Sequence, residues 1–259
     1  MGHDDMTRKI ALIWIIFLVG MAFFGAYLAP YDPMTPQENG ISKTPNTVYF
    51  LGTDGLGRDV LSRLLAGAGR TLGISGLSAT LAIAIGGILG IGAPMLGKFG
   101  DNALVLVMNT LLTFPPLMMA LVLLTLLGRS DTALIIAVGI SQVGMTAQVI
   151  RGVTRQILVE DYILGARACG AGWWRIAWVH VRRGIYPTLG AQMGIVFGYC
   201  LFNSAGLNFL GVGVAIGVPE WGAILAEGRS VFRTAPHVAI FAGLLLMSAV
   251  IAVNRLVDD

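Results

Sequence analysis

Few residues of the 259-residue chain have types and spacing that suggest chemistry, and each such pattern is incomplete. The stretch 92–98 approaches the pattern of a phosphate-binding loop, but Phe99 stands where that loop needs Ser or Thr to hold Mg²⁺. His3, His180 and His237 are scattered, and no two of them have the spacing of metal ligands. The sequence therefore predicts neither nucleotide hydrolysis nor a metal centre in this chain, and it predicts that His237 is a solvated loop residue.

Catalysis inside the apolar segments would need a nucleophile with a base, paired histidines and carboxylates, or a metal cluster. None of these patterns occurs in those segments. Cys169 and Cys200 lie in a basic segment and in an apolar segment, respectively, so we expect no disulfide between them. The chain is therefore expected to be non-catalytic and to hold no cofactor of its own.

The composition is that of an integral membrane protein. Hydrophobic residues make up 56% of the chain and charged residues only 12%, and the mean hydropathy is +0.78. Soluble domains carry about 25% charged residues, so this apolar excess needs lipid as its solvent. The net charge is only +3, so the pI of about 9.1 reflects local basic clusters and does not indicate nucleic-acid binding.

Six segments approach the roughly 20 apolar residues that a membrane-spanning helix needs. Their interiors lack Asp, Glu, Lys and Arg, and Asn109, Gln142 and Gln148 are the polar members that stand out. Ion-coupled secondary transporters commonly use ionisable groups inside the membrane, so the sequence disfavours that class. The six predicted spans are Ile10–Leu28, Leu72–Leu96, Ala103–Leu127, Ala133–Ile150, Leu189–Leu210 and Val238–Val253.

The distribution of Lys and Arg predicts that both termini are cytoplasmic. In this orientation ten of these residues lie inside and seven outside. Most of the outer ones lie in the longer segments 29–71 and 211–237, which count for less. The inner ones include six arginines between Arg151 and Arg183, so we expect the loop 151–188 to face the cytosol.

The basic loop is expected to contain a short docking helix over Val159–Cys169, ended by Gly170 and Gly172. Acidic residues at its start suit the helix dipole, small residues let it seat closely in a partner, and Arg167 supplies a charge contact. The alternative is an amphipathic helix on anionic lipid, with Trp173 and Trp174 at the membrane interface. The residues predicted for docking are Glu160, Asp161, Leu164, Gly165, Ala166, Arg167, Ala168 and Gly170.

Two features of the predicted spans concern helix packing and shape. Ala82, Gly86, Gly90 and Pro94 recur every four residues and predict a small-residue face for close helix contact. Phe114-Pro115-Pro116 interrupts the third span and predicts a kink. Broken helices often line the pathway of a transporter, and a purely structural kink is the alternative.

The segment 52–59 combines glycines with charged residues just after the first predicted span. Asp54, Arg58 and Asp59 are expected to pair with one another and fix the segment against the helices. The other interpretation is a capped amphipathic helix with Thr53 or Asp54 as its N-cap. Neither interpretation implies catalysis.

Three blocks of sequence together resemble the permeases of peptide- and nickel-type ABC importers. The first is the Leu-Gly-Thr-Asp-Gly-Leu-Gly-Arg-Asp-Val-Leu-Ser-Arg-Leu-Leu run at 51–65. The second lies in the basic loop, with Ala-Arg-Ala at 166–168, Gly170, Arg-Ile at 175–176 and His180, and it resembles the loop that docks the ATPase. The third is Leu-Asn-Phe-Leu-Gly-Val-Gly at 207–213, followed by Glu-Trp-Gly at 220–222. The blocks follow the family's order and spacing over nearly the whole chain.

The chain departs from the family pattern at several positions. The Glu-Ala-Ala that names the docking loop falls on Leu-Gly-Ala at 164–166, and the usual Leu-Pro falls on Arg182-Arg183. The Pro-rich run before Trp221 is reduced to Pro219, and the chain stops about where the family has a short charged tail. Gly-Ala-Gly at 170–172 and the Glu-Trp-Gly run favour the nickel-type branch.

The resemblance implies an all-α membrane protein with six transmembrane helices, a cytoplasmic coupling helix and the type I ABC importer fold. The chain would be a permease subunit in a bacterial inner membrane, with a first span and outer segment at 1–71 and a core domain at 72–259. Its partners would be a second permease, two ATPase subunits that bind ATP and Mg²⁺, and an extracytoplasmic binding protein.

The cargo implied by the resemblance is nickel, another metal chelate or a short peptide, and an ion-coupled secondary transporter is the alternative function. The outer signature residues of the first block are Gly52, Thr53, Asp54, Gly57, Arg58 and Asp59.

Overall fold

A computed structural model describes residues 2–37, 40–213, 215 and 217–257. Over these residues the chain is built from helices and connecting loops. The helices are α1 (Gly2–Leu28), α2 (Val60–Met95), α3 (Gly97–Thr113), α4 (Pro116–Leu127), α5 (Asp131–Leu158), α6 (Asp161–Ala168), α7 (Trp173–Arg175), α8 (Arg182–Phe209), α9 (Trp221–Ser230) and α10 (Pro236–Val257), with a π-helical segment at Ile176–Val181.

The helices long and apolar enough to cross a membrane number five, or six if one bent pair of helices is counted as a single span, against the six predicted spans. Five such helices occur in the described residues: α1 from Met6, α2, α5, the continuous helix Trp173–Phe209 and α10 to Leu256. α3 and α4 are together apolar enough to count as a sixth span, with a bend of 90° at the break between them. The prediction of an all-helical membrane protein is therefore confirmed.

Helix α2 lies at the centre of the fold, packed against α1, α5 and α8. A Cβ added at Gly86 would lie 2.8 Å from the side chain of Thr146, and one at Gly90 would lie 2.7 Å from the carbonyl oxygen of Ala147. Ala82, one turn before Gly86, is fully buried. The predicted small-residue face is therefore real, and it allows the backbones of α2 and α5 to approach closely.

Helix α2 begins earlier than the predicted Leu72, because Asp59 caps it. The Asp59 side chain accepts a hydrogen bond of 2.8 Å from the backbone N–H of Ser62. Thr53 and Asp54 are not the N-cap, so that prediction was wrong. The division of the chain at residue 72 stays a prediction, although α2 runs through this position.

The predicted kink at 114–116 is a complete break between α3 and α4. Phe114 has extended backbone angles (φ −90°, ψ 133°) and ends α3. Pro115 is the N-cap of α4, and Pro116 is its first residue, where a proline removes no internal hydrogen bond. The two prolines therefore start a new helix in a new direction.

Most of the segment 151–188 is helical, so its description as a long loop was wrong. α5 continues through Arg151 and Arg155 to Leu158, and the Trp173–Phe209 helix begins well before the predicted Leu189. The change of direction between these helices is confined to 159–172, where α6 lies.

Helix α9 lies within the segment 211–237, which the sequence suggested only as an outer loop. It packs against α8 and α10, and Trp221 at its start is fully buried. A Cβ added at Gly228 would lie 2.6 Å from the backbone nitrogen of Ala239 on α10. α9 is therefore a packed element of the bundle.

Candidate functional site

The predicted docking helix is α6, which has one fully buried side chain. Of its eight residues, all described by the structure, only Ile163 is fully buried. Ile163 packs in a hydrophobic cluster with Ile157 of α5 and Ile176 of the π-helical segment, and Met95 at the end of α2 packs against the same cluster. α6 therefore lies at the C-terminal end of α2, fixed by a single apolar contact region.

The opposite face of α6 is exposed. Tyr162 and Leu164 each expose about half of their surface, at 52% and 50%. A Cβ added at Gly165 would meet nothing within 4 Å. Glu160 and Asp161 are exposed at the N-terminus, where negative charge suits the helix dipole. This face is therefore acidic at its start, and apolar and small in its middle.

The C-terminus of α6 is closed by a Schellman motif. The N–H of Gly170 donates to the carbonyl of Arg167 at 2.9 Å, and the N–H of Ala171 donates to the carbonyl of Ala166 at 3.0 Å. Gly170 has a φ of +82°, in the left-handed region that favours glycine, and it ends the helix as predicted. Gly172 instead precedes α7 as its N-cap, so it begins the next helix and does not end α6.

Two of the predicted docking residues are partly turned towards their own chain. The guanidinium of Arg167 lies over the ring of Trp173, 4.1 Å from its centroid. Ala166 is half-buried, whereas Ala168 is exposed. Leu164 and Gly165 are therefore more accessible to a partner than Ala166.

An ion-pair cluster that the sequence did not predict joins α3 to α5. The carboxylate of Asp101 is buried and binds Arg151 through two hydrogen bonds of 2.6 Å. Arg155, one helical turn later, donates to the same carboxylate at 2.9 Å. Asp101 lies just before one predicted span and Arg151 just after the next, and this placement at adjacent span ends was the available signal.

The outer signature forms a second, larger ion-pair cluster at the N-terminal end of α2. Asp54 accepts from the Arg58 side chain at 2.8 Å and from the Arg63 side chain at 2.5 Å. Both arginines also bind Glu227 of α9, at 2.6 Å for Arg58. The expected pairing of Asp54 with Arg58 is therefore confirmed, while Asp59 serves as a cap. Two arginines and two carboxylates balance one another, which buried charges require.

Backbone geometry explains the glycines of the same block. Gly52 and Gly57 have φ values of +76° and +81°, in the left-handed region that favours glycine. Asp54 also accepts hydrogen bonds from the N–H groups of Leu56 and Arg58, both at 2.9 Å. The Thr53 hydroxyl donates to the carbonyl of Gly40.

The Glu-Trp-Gly run at 220–222 fixes the start of α9. Glu220 caps the helix, accepting from the N–H of Ala223 at 2.8 Å and from the hydroxyl of Thr71 at 3.1 Å. Burial raises the pKa of the Glu220 carboxyl, and these hydrogen bonds partly oppose the shift. The indole N–H of Trp221 donates to the carbonyl of Leu64 at 2.9 Å. A Cβ at Gly222 would lie 2.6 Å from the backbone of Ala205.

The histidines and cysteines form no metal site within the described residues, where no three His, Cys, Asp or Glu side chains are grouped for an ion. His237 is buried, and its Nε2 lies 3.0 Å from the carbonyl oxygen of Thr53. The prediction of a solvated His237 was therefore wrong, because α10 begins beside the outer segment. Cys169 is exposed and Cys200 is buried, and both are free thiols.

The near match to a phosphate-binding loop is helical. Residues 92–95 end α2, and residues 97–99 begin α3. A phosphate-binding loop needs a strand followed by a glycine-rich turn whose N–H groups face the phosphates. The geometry agrees with the expectation that this stretch does not bind nucleotide.

The predicted site residues form three separate groups. The docking residues lie at the C-terminal end of α2 and the outer signature at its N-terminal end, about 50 Å apart for a helix of 36 residues. The break at 114–116 lies on the bent pair α3 and α4. Arg63 and Glu227 complete the outer cluster, and only the position of Arg63 inside the first block hinted at its role.

Comparison with known proteins places these elements in one family. The family model described as a binding-protein-dependent transport system inner membrane component matches residues 82–258. The glutathione transport system permease protein GsiD of Pectobacterium atrosepticum is 32% identical over 247 residues, covering 95% of this chain and 82% of that protein. The nickel transport system permease protein NikC of Escherichia coli K12 is 30% identical over 250 residues, covering 96% of this chain and 90% of that protein.

A solved structure supports the fold. A chain of the MetNI methionine ABC transporter in an inward-facing conformation superposes with a TM-score of 0.60 and 17% sequence identity. The match covers 76% of this chain and 95% of the MetNI chain. The helical arrangement is therefore the type I ABC importer transmembrane fold, and this chain belongs to the family of binding-protein-dependent transport system inner membrane components.

Proposed function

We propose that this chain is one of two permease subunits of an ATP-driven importer and forms half of its translocation pathway. Family membership and the type I fold support this role. The secondary transporter alternative has less support, because the acidic residue found at the start of α3, Asp101, is held by two arginines. An ionisable group that relays ions must change its partners during transport, and this carboxylate is fully engaged.

The observation that carries the proposal is the shape of α6. It is an eight-residue helix at the end of α5, held by buried Ile163 and exposed on its opposite face. We assign this face to the contact with an ATPase subunit. Because Leu164 and Gly165 project no bulky polar group, a helix here can seat closely in a groove of the partner.

The same proposal gives the other partners and the orientation. With α6 in the cytosol, both termini are cytoplasmic and the cluster of Asp54 with Arg58 and Arg63 faces outward. An extracytoplasmic binding protein would dock there, against the outer segment and the 217–220 loop, whose Gly217 carbonyl accepts a hydrogen bond from Arg58 at 3.4 Å. ATP and Mg²⁺ would be bound by the two ATPase subunits, and this chain would remain non-catalytic.

The break between α3 and α4 is the proposed pathway element. Phe114 is exposed in the single chain, and Pro115 fixes the direction in which α4 leaves. The relatives named for glutathione transport and for nickel transport have similar sequence identity to this chain, so neither cargo is favoured over the other. We therefore propose that the cargo is a short peptide or a nickel chelate.

Reconstitution tests the proposal directly. The chain, co-expressed with a second permease and two ATPase subunits of the same transport system, should purify as one complex. ATP hydrolysis in vesicles should rise when the loaded binding protein is added. Uptake of labelled glutathione and of ⁶³Ni²⁺ should then separate the two cargo classes. Uptake that persists without ATP, driven by an ion gradient, would contradict the proposal.

A further inference from the structure

A groove that the proposed transport role does not use lies beside the C-terminal half of α2. It has a volume of about 510 Å³ and runs between α2 and the stretch 173–182. Ile88, Ile91 and Leu96 line one wall, and Trp174 and Trp178 line the other. It lies next to the hydrophobic cluster that holds α6, so it is at the same end of the bundle.

The aromatic wall of the groove is ordered and exposed. The rings of Trp174 and Trp178 are stacked, with centroids 6.3 Å apart and planes 4° apart. Trp174 exposes 80% of its surface and Trp178 58%, and Ile88 and Leu96 are exposed as well. Tryptophan is enriched where a membrane protein meets the lipid headgroups, because its ring is apolar and its N–H is polar.

One arginine lies at the edge of this wall. The guanidinium of Arg182 lies 4.6 Å from the ring centroid of Trp178 and 5.8 Å from that of Tyr186. Within the part of the chain that the structure describes, no carboxylate lies within ion-pair distance of Arg182, and its Nε finds no hydrogen-bond acceptor. This Nε is itself buried, so the terminal N–H groups of the guanidinium are the ones left to bind a ligand, and they match phosphate oxygens.

The charge of the groove therefore decides among possible occupants. Its lining contains one cation and no anion. We propose that the groove binds an anionic phospholipid, with the phosphate on Arg182 and an acyl chain along Ile88, Ile91 and Leu96. A zwitterionic lipid would place its own cation beside the guanidinium, so we expect the site to prefer phosphatidylglycerol over phosphatidylcholine.

Native mass spectrometry of the assembled complex tests the preference for an anionic headgroup. The detergent-solubilised complex is incubated with equimolar phosphatidylglycerol and phosphatidylcholine, and the bound lipids are identified from the mass of the complex. The wild type should retain phosphatidylglycerol preferentially, and Arg182→Gln should lower that preference about tenfold, the loss expected for one charge-assisted contact. Arg183→Gln is the matched control, because Arg183 is exposed and does not line the groove. Equal preference in the wild type and Arg182→Gln, or an equal loss in both variants, would overturn the proposal.

Fluorescence quenching tests the location independently of the headgroup. The complex is placed in vesicles that contain phosphatidylglycerol brominated along its acyl chains. Bromine quenches the fluorescence of nearby indoles. If Trp178 lies against the lipid, the fraction of tryptophan fluorescence that bromine quenches should be smaller in the Trp178→Phe complex than in the wild type. If bromine does not quench the fluorescence that Trp178 contributes, the proposal is wrong, and a second protein subunit covers the groove instead of a lipid. Thermal unfolding of each variant checks that the complex is intact.

Discussion

Arg151 donates hydrogen bonds to both carboxylate oxygens of Asp101, with Nε–Oδ1 and Nη2–Oδ2 distances of 2.6 Å each. The pair ties the start of α3 to the C-terminal part of α5, and α5 leads directly to α6. The first half of the broken span is therefore attached to the helix that holds the proposed ATPase contact.

Removing one partner of this pair should destabilise the complex. Asp101→Asn leaves the Arg151 guanidinium without its counter-charge in a partly buried place, and we expect a loss of about 1–3 kcal/mol in the free energy of unfolding. Arg155→Gln should cost less, because the Arg155 side chain is 59% exposed and water screens its contact. Thermal unfolding of the purified complex measures both. Equal shifts for the two variants would contradict the assigned ranking.

Replacing Arg63 of the outer ion-pair cluster should lower the stability of the protein more than replacing an exposed arginine does. Arg63→Met removes one of two cations from Asp54 and Glu227 while keeping an apolar side chain of similar length, and we expect a loss of about 3 kcal/mol. Arg233→Gln is the control, since Arg233 is exposed. Unfolding temperature and protease sensitivity of the outer segment measure the change. A Met variant as stable as the Arg233 control would show that the cluster contributes no net stability.

The break at 114–116 should be needed for transport and not for assembly. Replacing Pro115 and Pro116 by Ala removes the fixed φ angles and restores two N–H donors, so α3 and α4 can join into one helix. We expect uptake to fall at least severalfold while the complex still purifies. Thr113→Ala is the control, because the Thr113 hydroxyl donates only to the carbonyl of Asn109 one turn earlier. Unchanged uptake in the double variant would leave the break without a transport role.

Substitution of Gly170 should disturb the coupling between ATP hydrolysis and transport much more than substitution of Gly172. Gly170→Val forces a β-branched residue to a φ of +82°, whereas Gly172→Val meets a φ of −68° with open space around its Cβ. The first change should strain the end of α6 by about 1–2 kcal/mol or more. Ala166→Glu should reduce ATPase binding less than Leu164→Glu, because Leu164 is more exposed.

Pull-down of the ATPases and binding-protein-stimulated hydrolysis measure these effects. Gly170→Val and Leu164→Glu should lose one or both, Gly172→Val should keep both, and Arg182→Ala should affect them little. Normal assembly and hydrolysis in Gly170→Val and Leu164→Glu would show that α6 is not the coupling element.

Labelling of single cysteines tests the orientation. In a background without Cys169 and Cys200, cysteines are introduced at Thr44 and Gln156, both of which are exposed. An impermeant thiol reagent added to intact cells should label position 44 and not position 156. Membrane disruption should make position 156 reactive, which confirms that it is accessible. The reverse pattern would invert the topology.

The length of the apolar segments was sufficient to predict the five long spanning helices and the bent pair α3 and α4, because about 20 apolar residues are needed to cross the lipid. The ends themselves were less predictable. α2 could not be traced back to Val60, because Arg63 looks like an outer charge until Asp54 and Glu227 neutralise it. The same reasoning hid the start of the helix Trp173–Phe209, in which Arg182 stacks on aromatic rings.

Local chemistry was predictable where one residue determines the backbone, and long-range pairing was not. Gly170 could be assigned a positive φ from its place after a short helix. The contact of Trp221 with the carbonyl of Leu64 spans more than half the chain, and no spacing in the sequence indicates it. The same holds for His237, whose partner is the carbonyl of Thr53.

The uninterrupted length of α2 has a mechanical consequence. Its first turns are clamped to the outer ion pairs through Arg63, and its last turn, with Met95, touches the cluster that holds Ile163. Pro94 lies in the last turn of the uninterrupted helix, so we expect α2 to move as a single unit. When a rigid helix rotates about a point near its middle, its two ends move in opposite directions. If an ATPase subunit displaces the cytoplasmic end of α2 in the proposed importer, we expect the opposite end to move in the opposite sense, so that the pathway is open to one side of the membrane at a time.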